Sequence, residues 1–207
     1  MSDSERSKHR KRLSVSEIER AQRILHFAWL SLPAAHRAFL ESIGASQSQG
    51  IDQPLGTAAD GFLRSAGQRG LSATAQRKLD LALGVWLQGL RIILLDVGHP
   101  KLAGLDQATY EAFIMRTAWH EWGHALSVVR CSQEDMADGR KLLDLAPTGL
   151  RESIRRAGYR STDYTHELVA ETYALLVARR RRGVTGRPSW LDSEIYDLLK
   201  RVTDWSD

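Results

Sequence analysis

Trp119-His120-Glu121-Trp122-Gly123-His124 lies inside a proline-free run that opens at Asp106, a residue suited to an N-cap, and continues to Arg130. Such a run makes a helix of about six turns. His120 and His124 are four residues apart, so on a helix they stand one above the other and can aim ring nitrogens at a single ion. Glu121, about 100° further round, leans over that ion rather than binding it, where a carboxylate can take a proton from an activated water. Phe113 and Thr117 share the histidine side. Met115, Trp119, Trp122, Leu126 and Val129 follow helical spacing on another side and are read as core. The pattern points to a zinc-dependent hydrolase built around a half-buried helix.

A catalytic zinc takes three protein ligands and keeps one position open. The metzincin solution is absent, because Ser127 and Arg130 stand where that pattern needs glycine and a third histidine. The third ligand must come from a later helix, and Thr165-His166-Glu167-Leu168-Val169-Ala170-Glu171 offers one. Glu167 and Glu171 share a helix face, so the first can bind the ion while the second orients a histidine through its other ring nitrogen. His166 is a rival ligand at this point. Tyr164, His166 and Tyr159 crowd the approach to this helix and are the candidates to stabilise the oxyanion that forms when water attacks a carbonyl, with His99 a further one.

His120 to Leu126, followed by Glu167-Leu168-Val169-Ala170-Glu171-Thr172-Tyr173-Ala174, resembles the gluzincin type of metallopeptidase, and within it the small ImmA/IrrE-like peptidases. The resemblance spans residues 91–180, roughly the extent over which such motifs can be compared. It implies a zincin-like fold, Glu167 as the third zinc ligand, Glu121 as general base and a protein or peptide substrate. The family often carries an aliphatic residue where this chain has Trp122, and the first ninety residues or so match none of it, including its frequent helix-turn-helix domain.

The chain has 207 residues, 43% of them hydrophobic and 26% charged, enough for one well-buried domain. The net charge is +4. Two basic clusters carry much of the excess: 8–12, in a Ser- and charge-rich start, and 179–182, where arginines complement a helix C-terminus. Neither implies a nucleic-acid partner. Cys131 is the single cysteine, so no internal disulfide can form. The start lacks the apolar core of a signal peptide, and the stretch 81–95 is interrupted by Gln88 and Arg91, short of the about eighteen apolar residues a membrane span needs. The expectation is a cytoplasmic protein with no membrane contact, signal-independent export staying open.

Residues 1–13 are expected to be a disordered basic tail whose removal is tolerated, and 14–207 a single domain. Ser14-Val15-Ser16-Glu17 reads as a capping box opening an amphipathic helix, and Pro33 opens a second that Gly44 closes, giving an N-terminal helical hairpin over 14–44. Residues 45–57 read as a linker, with a short helix near 57–65. The catalytic core spans 73–182. Within it Ala73–Gly89 reads as one helix with Leu79, Ala82, Leu83, Trp86 and Leu87 on its apolar face. Arg91–Asp96 reads as a strand, able to pair with an extended substrate beside the cleft. Ser132 is expected to cap a helix through Leu145, followed by a helix over 148–157 and a final one over 193–205. His9, His26 and His36 need no functional account. The fold expected is mainly α, an α+β chain with a minimal sheet, binding one Zn²⁺ through His120, His124 and Glu167. The alternative is a zinc-binding regulatory module that holds a partner without cleaving it, although Glu121 beside an open metal position favours catalysis.

Overall fold

In a computed structural model of the chain, residues 10, 12–156, 159 and 161–205 are described. In chain order the elements are α1 (Val15–Leu30), α2 (Ala34–Ser42), β1 (Gln47–Ile51), α3 (Leu55–Ser65), α4 (Ala73–Leu79), β2 (Gly84–Leu87), β3 (Ile92–Asp96), a 3-10 turn (Pro100–Leu102), α5 (Gln107–Arg130), α6 (Gln133–Ala137), α7 (Gly139–Leu145), α8 (Thr148–Arg156), a second 3-10 turn (Ser161–Asp163), α9 (Tyr164–Arg181) and α10 (Ser193–Thr203). The protein is mainly helical with a small sheet. It divides into two compact units, Met1–Leu30 with Ile43–Ala118, and Ser31–Ser42 with Trp119–Asp207. The two helices expected as one hairpin therefore fall in different units. Among the described residues no helix is long and apolar enough to cross a membrane.

The first unit is organised on β3. Its order is β1-β3-β2, with β1 parallel and β2 antiparallel to the central strand. Ile93, Leu94 and Leu95 are all buried, as the run Ile-Ile-Leu-Leu requires of a strand covered on both faces. Leu94 packs with Ile51, Leu55, Ala58, Ala59 and Leu87 beneath α3, while α1 lies along β1 and brings Ala21 against Gly50. The capping box is formed: Ser14 Oγ accepts from the Glu17 amide, and Glu17 accepts from the Ser14 amide at 2.8 Å.

Three expectations fail here for definable reasons. The helix over 73–89 stops at Leu79, and Val85-Trp86-Leu87, bounded by Gly84 and Gly89, pairs with β3 instead. β-Branched and aromatic residues between two glycines suit an edge strand, and a short apolar run carries no period that separates the two states. The presumed linker 45–57 contains β1, whose Gln-Ser-Gln-Gly-Ile sequence has no apolar alternation because only its end is buried. Strand β3 has neighbours on both sides, so neither edge is free to pair with a substrate. The basic tail also departs from expectation. Residues 1–9 and 11 lie outside the described residues, but Arg10 donates two hydrogen bonds, 2.7 and 2.5 Å, to Asp96, which is 1% exposed.

The second unit is a helical cluster around α9, which packs on α7 and α10. Ten of its residues are buried, from Thr165 to Val177. A helix buried on most sides has apolar residues most of the way round, which is why it shows little amphipathic pattern. Ser132 caps as expected, reciprocally with Asp135, but the helix breaks at Asp138 into α6 and α7. A Cβ at Gly139 would lie 2.6 Å from Thr165 Oγ1, so the glycine lets the start of α7 close on α9. Trp119 and Trp122 are core, with the Trp119 indole donating to Ser31 Oγ at 3.1 Å. Val129, expected on the same buried stripe, is 52% exposed.

Candidate metal centre

The centre arises where α5 crosses α9. A Cβ at Gly123 would stand 2.7 Å from Ala170 Cα and 3.2 Å from Ala170 O, both backbone atoms, so only glycine permits this approach. Gly123 sits between the two histidines of α5, and Ala170 sits between Glu167 and Glu171 of α9. The close crossing therefore brings the four side chains together.

His120 Nε2 and His124 Nε2 are 3.0 Å apart with their rings nearly perpendicular. Glu167 Oε1 lies 3.3 Å from His124 Nε2, and Glu167 Oε2 lies 3.7 Å from His120 Nε2. One ligand atom from each of the three residues falls within 4.8 Å of the others, so this group can hold a metal ion. Ligand bonds of about 2.0–2.1 Å in a tetrahedron place ligand atoms about 3.3–3.4 Å apart, which the Glu167 Oε1 to His124 Nε2 separation of 3.3 Å matches and the 3.0 Å between the two nitrogens approaches. The donor chemistry fits equally well, two imidazoles and a carboxylate being a set zinc accepts. On its other ring nitrogen, Nδ1, His120 faces Glu171 Oε1 at 3.7 Å, the position of an orienting carboxylate.

The electrostatics follow from burial. Glu167 is pushed up to about 8, first by desolvation, opposed by a hydrogen bond from the Tyr159 hydroxyl and reinforced by repulsion from Glu171 and Asp163. His124 is held well below its ordinary value, first by burial and then by repulsion from His120 and His166. A cation among these groups would reverse the first tendency, favouring the carboxylate, and reinforce the second, favouring the neutral imidazoles. Glu121 is 6% exposed. Burial first, then the charges of Glu167, Glu121 and Glu171, raise the Tyr159 phenol above its ordinary range.

Of the residues singled out from sequence, His120, His124, Glu167 and Glu171 meet. His166 turns elsewhere: its Nδ1 lies 3.0 Å from Ser127 Oγ, whose own proton goes to the His124 carbonyl. With that proton committed, Ser127 accepts from His166, and the imidazole ties α9 to α5 outside the ligand set. Tyr164 opens α9 and is half-buried; the phenol that bonds Glu167 is that of Tyr159. His99 is a cap, accepting the Lys101 amide through Nδ1. Tyr159 follows α8 in no regular element, so no periodicity could have aimed it at Glu167. Comparison of the chain with protein-family models, curated proteins and solved structures found no match.

Proposed function

We propose that the second unit is the catalytic part of a metal-dependent hydrolase. More narrowly, it acts as a zinc metallopeptidase of the gluzincin type, nearest the ImmA/IrrE-like group, cutting peptide bonds in a protein substrate. The observation that carries this reading is the convergence of His120 Nε2, His124 Nε2 and the Glu167 carboxylate beside a buried Glu121. A bound zinc ion supplies Lewis acidity and lowers the pKa of water towards neutrality. Glu121 accepts the proton of the attacking water on a carboxylate oxygen and returns it to the leaving amine nitrogen. Glu171, with Oε1 3.7 Å from His120 Nδ1, is placed to orient that ring so that Nε2 serves the ion. Tyr159 donates to Glu167, limiting the freedom of that carboxylate in a buried site.

The test is Glu121→Gln, which preserves size and removes the ability to take a proton. Zinc content by mass spectrometry stays at the wild-type level, while cleavage of a peptide library, read as new termini, falls by about two to four orders of magnitude. Unchanged cleavage by the variant defeats the mechanism. A wild type that holds zinc, cleaves nothing and captures a partner favours the non-catalytic module.

A further inference from the structure

The edge of the sheet opposite β2 carries a feature that the metal centre does not use. Among the described residues, strand β1 pairs with β3 on one side and with no strand on the other. Ile51 O accepts from the Val97 amide at 2.9 Å, so residues 47, 49 and 51 turn their backbone groups towards β3, and 48 and 50 turn theirs outward. Two of those outward groups, the Ser48 carbonyl and the Gly50 amide, meet one side chain. Gln22 of α1 donates from Nε2 to Ser48 O at 3.0 Å and accepts on Oε1 from the Gly50 amide at 3.2 Å. A carbonyl at one residue and an amide two residues later are the pair that a single residue of a parallel neighbouring strand would engage. The primary amide of Gln22 thus stands where the N–H and C=O of an added strand would stand.

The surroundings suit such a guest. A groove of about 530 Å³ runs along this edge, lined by His26 and Trp29 of α1 and by Gln47 and Gln49 of β1. Gln22 and His26 are exposed and Trp29 is half-buried beside a strand edge that the Gln22 side chain covers, with Ser48 half-buried and Gly50 buried beneath it. Main-chain pairing gives affinity in strand addition, and a flanking pocket for alternate side chains gives selectivity.

We propose that the outer edge of β1 docks an extended polypeptide segment of a partner protein, which adds in parallel to β1 and displaces the Gln22 side chain. The choice of occupant rests on the amide already seated there, whose donor and acceptor are those of a peptide backbone. The proposal stands independently of the metal reading.

Random linear decapeptides displayed on phage and selected on the full-length protein test it, with the enriched peptides resynthesised for titration. Three results are expected. N-methylation scanned along a binding peptide weakens it at every second residue, because alternate amides face β1. Gln22→Ala, an exposed position whose loss spares the core, binds about five- to tenfold tighter, since two side-chain hydrogen bonds no longer compete. Ser48→Pro removes an outward-facing N–H at an edge position that tolerates proline, and binding drops at least about tenfold. Failure to enrich any peptide overturns the proposal, as does N-methyl sensitivity without a period of two, or equal binding by wild type and Gln22→Ala. A Gln22→Ala protein that dimerises and ignores peptides assigns the edge to a second copy of the chain instead.

Discussion

Gly123→Ala asks the most of the helix crossing that assembles the centre. The added methyl would stand 2.7 Å from Ala170 Cα, 3.2 Å from Ala170 O and 3.3 Å from Ala170 Cβ. Carbon atoms settle at about 3.5–4.0 Å, so α5 and α9 must part by about 1 Å. Metal ligands tolerate about 0.2 Å, and Glu167 is the ligand that moves away. Overpacking of this kind costs about 1–3 kcal/mol of stability. Zinc affinity should fall by at least about ten- to hundredfold, the loss that follows removal of a mere outer-shell partner. Ala170→Gly should not rescue it, because the tightest contact is with the backbone. Chelator competition gives the affinity and urea unfolding the stability. Gly149→Ala, where none of the described residues comes within 4 Å, is the control and should be neutral or slightly stabilising. Zinc affinity within twofold of wild type for Gly123→Ala would refute the close crossing as the device that builds the site.

His36 is 2% exposed, with Nδ1 3.0 Å from the Tyr173 hydroxyl, and lies near the rings of Tyr173 and Trp205, the Asp204 carbonyl, and the charges of Arg130 and Arg180. Burial is the main cause that lowers it from 6.5 to about 4, so its contribution is fully present above pH 6.5 and is lost as pH falls towards 4. The loss is about 3 kcal/mol at most, a tenfold change in equilibrium being worth about 1.4 kcal/mol. Urea melts of wild type and His36→Gln between pH 7 and 4 check it: the stability difference between them should shrink on acidification, and a constant difference would contradict it. Arg10→Ala should destabilise by about 3 kcal/mol or more, because it strands the buried Asp96 carboxylate, whereas Arg12→Ala at an exposed position should change little. Equal melting points for the two variants would show that Arg10 is dispensable.

The centre was legible because its two halves are local patterns on helices. Four-residue spacing aims His120 with His124 and Glu167 with Glu171, and helix geometry alone ranks Glu167 above its neighbour His166, about 100° away. What the pattern could not give is the partner that arrives through space. Tyr159 reaches Glu167 from an irregular segment, and His36 meets Tyr173 across most of the chain length. The sheet was half legible. Ile92–Asp96 declares itself by unbroken branched apolar residues, while β1 shows no apolar alternation because only its end is buried, and β2 was absorbed into the periodicity of the helix before it. The division into two units was not legible at all, since α1 and α2 are separated by only a short turn at Pro33.

The central claim is the identity of the third ligand, and zinc stoichiometry with affinity in three variants tests it most directly. Glu167→Ala should lose zinc and hydrolysis together. His166→Ala should retain zinc, because its imidazole is bonded to Ser127 rather than aimed at the histidine pair. Glu171→Ala should retain zinc with affinity weakened about ten- to hundredfold, as loss of an orienting carboxylate does. The result that would contradict the account is the reverse order: a Glu167→Ala protein that still binds one zinc at wild-type affinity, beside a His166→Ala protein that binds none.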